Sequence, residues 1–126
     1  MTGIVGDVAV WGGVVLLGGV GSVLRFVLDR AVSARAGRAF PYGTLVINIS
    51  GALLLGVLTG LALDERVALL AGTAVIGSYT TFSTWMFESQ RLGEDRQVNA
   101  MVGNLGVSLV LGVAAAALGL QIGSLL

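Results

Sequence analysis

Five hydroxyl side chains stand within seven positions, Ser78, Thr80, Thr81, Ser83 and Thr84, inside a stretch otherwise apolar enough for a membrane span. Gly77 precedes them, and Phe82 and Trp85 lie among and after them. A helix facing lipid has no use for such a density of hydroxyls, so something polar has to be handled there at depth. The arrangement admits two chemistries. The hydroxyls either bond back to i−4 carbonyls in a bent helix, or the helix is broken at or after Gly77 and exposes backbone groups that bind ions. Irregular backbone at membrane depth is tolerated only where it is buried in protein or lines a cavity.

Other polar residues in apolar runs extend the set. Asn48 is flanked by Val46, Ile47 and Ile49, and reads either as glue between helices or as an amide donor presented to a solute. Arg25 either snorkels to the headgroups or lines an aqueous vestibule. Asn104, Ser108 and Gly112 recur at i, i+4 and i+8, on one helical face. Phe82 and Trp85 share a face one turn apart, as ordinary packing or as a pair of electropositive ring edges. Thr44 and Glu88 fall near the ends of their apolar runs. The set is rich in donors and has no carboxylate at the midplane, where a cation pathway would carry one. Residue chemistry alone therefore points to passage of a small anion, by channel or transporter.

These groups must be positioned by membrane helices. The chain has 126 residues, 56% hydrophobic and 11% charged, with formal net charge +0 and neither Cys nor His. That removes thiol chemistry, disulfides, histidine bases and the usual transition-metal ligands. The scattered carboxylates leave an enzyme without a plausible acid–base pair, and no basic stripe exists to bind nucleic acid. The expected fold is an all-α integral membrane protein, a single domain over residues 1–126 with four spans at about 8–32, 43–63, 67–90 and 98–122. Asp7 precedes the first apolar stretch with no earlier Arg, so that stretch reads as a retained span rather than a signal peptide. Pro41, the sole proline, suits a helix start. Gly56 with Gly60, and Gly119 with Gly123, mark close-packing faces. Ten residues from Val67 to Ile76 rise about 15 Å, about half the hydrocarbon thickness, which sets Gly77 near the midplane.

Four spans put Arg30, Arg35, Arg38, Arg91 and Arg96 on one side and Arg66 alone on the other. By the positive-inside rule both termini then lie outside.

Taken together, Gly18-Gly19-Val20-Gly21 with Arg25, Gly43-Thr44-Leu45 with Asn48 and Gly51, and Gly77 with Thr80-Thr81-Phe82-Ser83-Thr84 ending at Glu88 resemble the Fluc/CrcB family of bacterial fluoride channels. The resemblance covers nearly the whole chain, and the Thr80–Thr84 run is its most specific part. It implies an antiparallel, dual-topology-like dimer in the bacterial plasma (inner) membrane, with the third helix broken near the midplane. Two separate pores would let fluoride leave the cytoplasm passively and so confer fluoride resistance. A structural Na⁺ at the dimer centre would be held by backbone carbonyls, here those of Gly77 and Thr80. The fluoride pore would comprise Phe82, Trp85, Asn48, Ser108, Thr81, Ser83, Thr84 and Thr44, with Arg25 in the vestibule and Glu88 at the track's end. The sequence departs from the family pattern at Trp85, where Phe is usual, and at Gly112, where a hydroxyl is frequent.

The five-to-one Arg bias suits a fixed orientation, so the partner is either a second copy or an oppositely oriented paralogue. Two other readings are weaker. A small multidrug exporter, also of four spans, carries a membrane-embedded Glu in its first span, where this chain has Arg25 and no Glu. A scaffold subunit that transports nothing leaves the hydroxyl stretch unexplained.

Overall fold

A computed structural model describes residues 3–126. Four helical spans, long and apolar enough to cross a membrane, make up nearly all of it: Ile4–Ala36, Tyr42–Gly60, Glu65–Glu94 and Val98–Leu125. The joints between them are short and locally determined. Gly37, at φ 82°, ends the first span, and its N–H bonds back to Ser33 O at 2.9 Å. That left-handed conformation suits a residue without Cβ. Pro41 stands immediately ahead of the second span, and its carbonyl accepts from Leu45 N at 3.1 Å. Ala62 and Arg96 take positive φ (51° and 59°) in the turns leading into the third and fourth spans.

The second and fourth spans make the most extensive contact, and glycine is the reason. A Cβ on Gly56 would run into Ala116 O, and one on Gly60 into Leu120 O. A Cβ on Gly119 would meet Leu53 O, and one on Gly123 would meet Val57 O. The two small-residue pairs read in the sequence thus pack against each other, backbone to backbone. In hydrocarbon such close van der Waals packing replaces the hydrophobic effect as the adhesive. The first span docks on the leading half of the third in the same way: a Cβ on Gly21 would collide with Val75 O.

The third span is irregular. Glu65–Ala68 is α-helical, Leu69–Ile76 is wound as a π-helix, and Gly77–Tyr79 is α-helical again. Thr80 is extended (φ −80°, ψ 161°), and helix resumes over Ser83–Glu94. The span therefore bends at residues 80–82 rather than at Gly77, whose φ of −60° and ψ of −37° are helical.

Little of the chain is buried within itself. Ile47 and Asn104 are its largest fully buried side chains. The first and fourth spans present exposed apolar faces, among them Val15 at 74% and Val113 at 64%. In water such faces would aggregate, whereas in a bilayer they meet lipid or another membrane helix.

Candidate functional site

The bend in the third span is made by the second. Thr80 N still closes a helical bond to Ile76 O at 3.0 Å. The next amide does not continue the ladder, because Thr81 N donates to Asn48 Oδ1 at 2.8 Å. Asn48 Nδ2 donates to Thr81 O, also at 2.8 Å. One asparagine thus satisfies both backbone groups of the residue at the bend, and Gly77 O loses the Thr81 amide as a partner. Two neighbours on the second span complete the seat. Ser50 Oγ and Tyr79 Oη are 2.8 Å apart, hydrogen bonded. Gly51 lets the Thr80 methyl group and the Tyr79 ring lie against its backbone, where a Cβ would clash with Thr80 Cγ2.

Beyond the bend the helix restarts on its own hydroxyls. Thr81 Oγ1 accepts from Thr84 N at 3.2 Å and donates to Thr84 Oγ1 at 3.1 Å. The first gives a partner to an amide in the first turn of the resumed helix, where amides lack intrahelical acceptors. Ser83 Oγ lies 3.5 Å from Thr81 Oγ1. The hydroxyls of Thr81, Ser83 and Thr84 therefore form one cluster, with Thr81 buried and the other two exposed. Thr80 behaves differently: its hydroxyl bonds back to Ile76 O at 3.0 Å, the local bond open to any threonine in a helix.

Phe82 and Trp85 meet edge to face, their ring centroids 5.7 Å apart and their planes at 83°. Phe82 is 70% exposed. Both rings border an open cleft of about 540 Å³, together with Asn48, Gly77, Thr80 and Thr81. Its remaining walls are mostly apolar and include the π-helical Gly72, Thr73 and Ile76. The indole N–H is not turned to this cleft as a free donor, because Nε1 donates to Asn104 O at 3.0 Å.

The remaining candidates lie elsewhere. Thr44 is buried and its side chain reaches the Glu88 carboxyl group. Glu88 Oε1 is buried without a hydrogen-bond partner. Glu88 also borders a second, polar cleft of about 180 Å³ with Asp29, Arg38 and Arg91. Ser108 is buried on the fourth span, one turn from Asn104, and its hydroxyl has no partner. Arg25 is half-buried on the first span and borders neither cleft. The structure thus gathers Asn48, Gly77, Thr80, Thr81, Phe82 and Trp85 at the bend, and Thr44 with Glu88 at a second place.

A match over most of the chain shows the lineage. A family model described as "CrcB-like protein, Camphor Resistance (CrcB)" matches residues 13–120. The chain belongs to the CrcB family. Among its CrcB relatives is "Fluoride-specific ion channel FluC 2" of Mycolicibacterium paratuberculosis, 66% identical over 118 residues, which are 94% of this chain and 97% of the relative. A protein of the same name from Mycobacterium tuberculosis is 64% identical over 112 residues, 89% of each chain. "Fluoride-specific ion channel FluC 1" of Thermobifida fusca is 43% identical over 100 residues, 79% of this chain and 83% of the relative. Family membership and the four apolar spans together make this a multi-pass membrane protein.

Within this CrcB chain, no group of three or more His, Cys, Asp or Glu able to hold a metal occurs among the described residues. What the bend offers a hard cation is backbone oxygen. The diversion of Thr81 N to Asn48 frees Gly77 O from that amide, and the extended Thr80 turns its own carbonyl out of the helical ladder. Oxygen ligands of this kind suit an alkali or alkaline-earth ion rather than a transition metal. Two carbonyls are too few to surround such an ion.

Several contributors were hidden in the sequence. Nothing in the sequence pairs Ser50 with Tyr79, 29 residues apart. Nor does anything local tie Ser89 to Asn104, 15 residues on. Asp29 lies within the first span, with its carboxylate against Gly43 at the start of the second, where the partial positive charge of a helix N-terminus favours an anion.

Proposed function

We propose that this chain is a fluoride-selective channel that lets fluoride leave the cytoplasm passively across the bacterial plasma membrane. The observation that carries the choice of ion is similarity over 94% of the chain to a relative named a fluoride-specific ion channel. The geometry supports the same reading. The cleft at the bend is bordered by Asn48 and two aromatic residues, Phe82 and Trp85, and no carboxylate residue lines it. Asn48 uses one N–H on Thr81 O and keeps a second. Ser108 keeps a buried hydroxyl without a partner. Donors and ring edges stabilise a small anion; a lining without carboxylates gives a cation no counter-charge.

In this reading fluoride passes Phe82 and Trp85, then moves along the hydroxyls of Thr81, Ser83, Thr84 and Ser108, toward Thr44 and Glu88. Arg25 attracts the anion at the vestibule. Neutral hydrogen fluoride enters the cell from acid surroundings and ionises inside, so an open, selective path is enough to lower cytoplasmic fluoride. No bond is made or broken, and the protein is a channel rather than an enzyme.

The functional unit is an antiparallel pair with two pores, formed with a second copy or with an oppositely oriented paralogue. Exposed Phe82, the open cleft beside it and the partial cation site at Gly77 and Thr80 all favour a partner at the bend, near the bilayer midplane. There the carbonyls of two chains would hold a structural Na⁺, whose charge ties the two bends together. The Arg bias favours the paralogue; a reporter fused to the C-terminus that signals equally on both sides of the membrane would refute a fixed orientation. Fluoride efflux from liposomes containing the purified chain tests the reading as a whole.

A further inference from the structure

The indole of Trp85 is held by a closed loop of hydrogen bonds that nothing in its role as a pore aromatic requires. Its Nε1 donates to the backbone oxygen of Asn104 on the fourth span at 3.0 Å. The side chain of the same asparagine returns to the third span, where Nδ2 donates to Ser89 Oγ at 2.8 Å. Ser89 Oγ in turn donates to Trp85 O at 2.8 Å. The circuit therefore starts on the Trp85 ring and ends on the Trp85 backbone. Asn104 is 1% exposed and Ser89 4%, so water does not compete for these bonds. Among the described residues Asn104 Oδ1 has no partner, and the side chain's one bond is the one that reaches Ser89.

A ring held only by packing can turn about its side-chain torsions. A ring whose N–H is pinned to a buried carbonyl turns only by leaving a donor unpaired in apolar surroundings, which is costly. Pinned as it is, the indole meets Phe82 at 83° and borders the cleft. With its N–H engaged elsewhere, it offers the cleft carbon-bound hydrogen alone, as a phenylalanine would. The loop thus makes a larger, polar-tipped ring act as an apolar edge.

We propose that Ser89 and Asn104 are positioning residues for Trp85: the hydrogen-bonded loop between them fixes the orientation of the indole and, through it, the passage of fluoride. The second half of this statement rests on the fluoride reading above; the first half does not.

The test is hydrogen–deuterium exchange of the Trp85 indole N–H in protein labelled with ¹⁵N-tryptophan, paired with fluoride efflux from liposomes. The variants are Ser89→Ala, which removes only the hydroxyl, and Asn104→Leu, of similar shape without the amide. The indole of Trp11, exposed on the first span, serves as the internal comparison. Both variants are expected to speed Trp85 exchange by about tenfold while leaving Trp11 unchanged. Both are expected to slow fluoride efflux by about threefold. Unchanged Trp85 exchange overturns the proposal, because the loop then does not hold the ring. Faster exchange with undiminished efflux also overturns it, because ring orientation then does not govern passage. Should the unaltered protein pass no fluoride, the channel reading fails instead, while the exchange comparison still decides whether the pair holds the indole.

Discussion

Asn48 grips Thr81 by both of its backbone groups, accepting from its N–H and donating to its carbonyl, each at 2.8 Å across 33 residues of sequence. The grip substitutes for the helical bond that Thr81 would otherwise make and so creates the bend. Replacing Asn48 by Leu leaves both Thr81 groups unpaired or lets the third span close into continuous helix. The expected cost is about 1–3 kcal/mol of stability, seen as a lower unfolding temperature in detergent. Fluoride efflux should fall by about tenfold or more, the effect of a barrier raised by about 1.4 kcal/mol. Wild-type efflux in this variant would show that the grip is dispensable.

Phe82 separates function from stability because it is 70% exposed in the single chain. Phe82→Ile removes the ring edge and little internal packing. Stability of the chain should change by no more than about 0.5 kcal/mol, with fluoride efflux reduced about tenfold. Unchanged efflux would make Phe82 a packing residue only.

The glycine contacts between the second and fourth spans predict a sign reversal. Ala is a better helix former than Gly by about 1 kcal/mol. Gly119→Ala should nonetheless destabilise by about 1–3 kcal/mol, because its Cβ would strike Leu53 O. Gly19→Ala, with nothing within 4 Å of the new Cβ, should be neutral or stabilising. Thermal unfolding of the two variants side by side checks this, and equal effects would contradict the packing assigned here.

How much of this was legible beforehand depends on range. Asn48 and the hydroxyl run stood out because polar side chains in an apolar span must find partners. The glycine pairs stood out as packing faces. Which group faced which was not legible, because nothing local links Asn48 to Thr81 or Gly56 to Ala116. Gly77 looked like the point of departure, yet it stays helical, since its N–H bonds Gly72 O in the π-helical register. The departure comes where a side chain from another span outbids the helix for one amide. Trp85 likewise reads as a phenylalanine with a spare donor, until the fourth span is seen to take that donor.

Prolonged exchange of Na⁺ for a large organic cation should abolish fluoride efflux if Gly77 O and Thr80 O hold Na⁺ between two chains. The same exchange should weaken the pair on size-exclusion chromatography. A protein indifferent to the cation in both measurements has no such site.

The central claim is selective passage of fluoride, and anion efflux tests it most directly. Liposomes containing the purified chain, loaded with fluoride in one sample and chloride in another, are diluted into salt-free medium with a K⁺ carrier to balance charge. The account predicts rapid release of fluoride and retention of chloride; fluoride retained, or both ions released at equal rates, would contradict it.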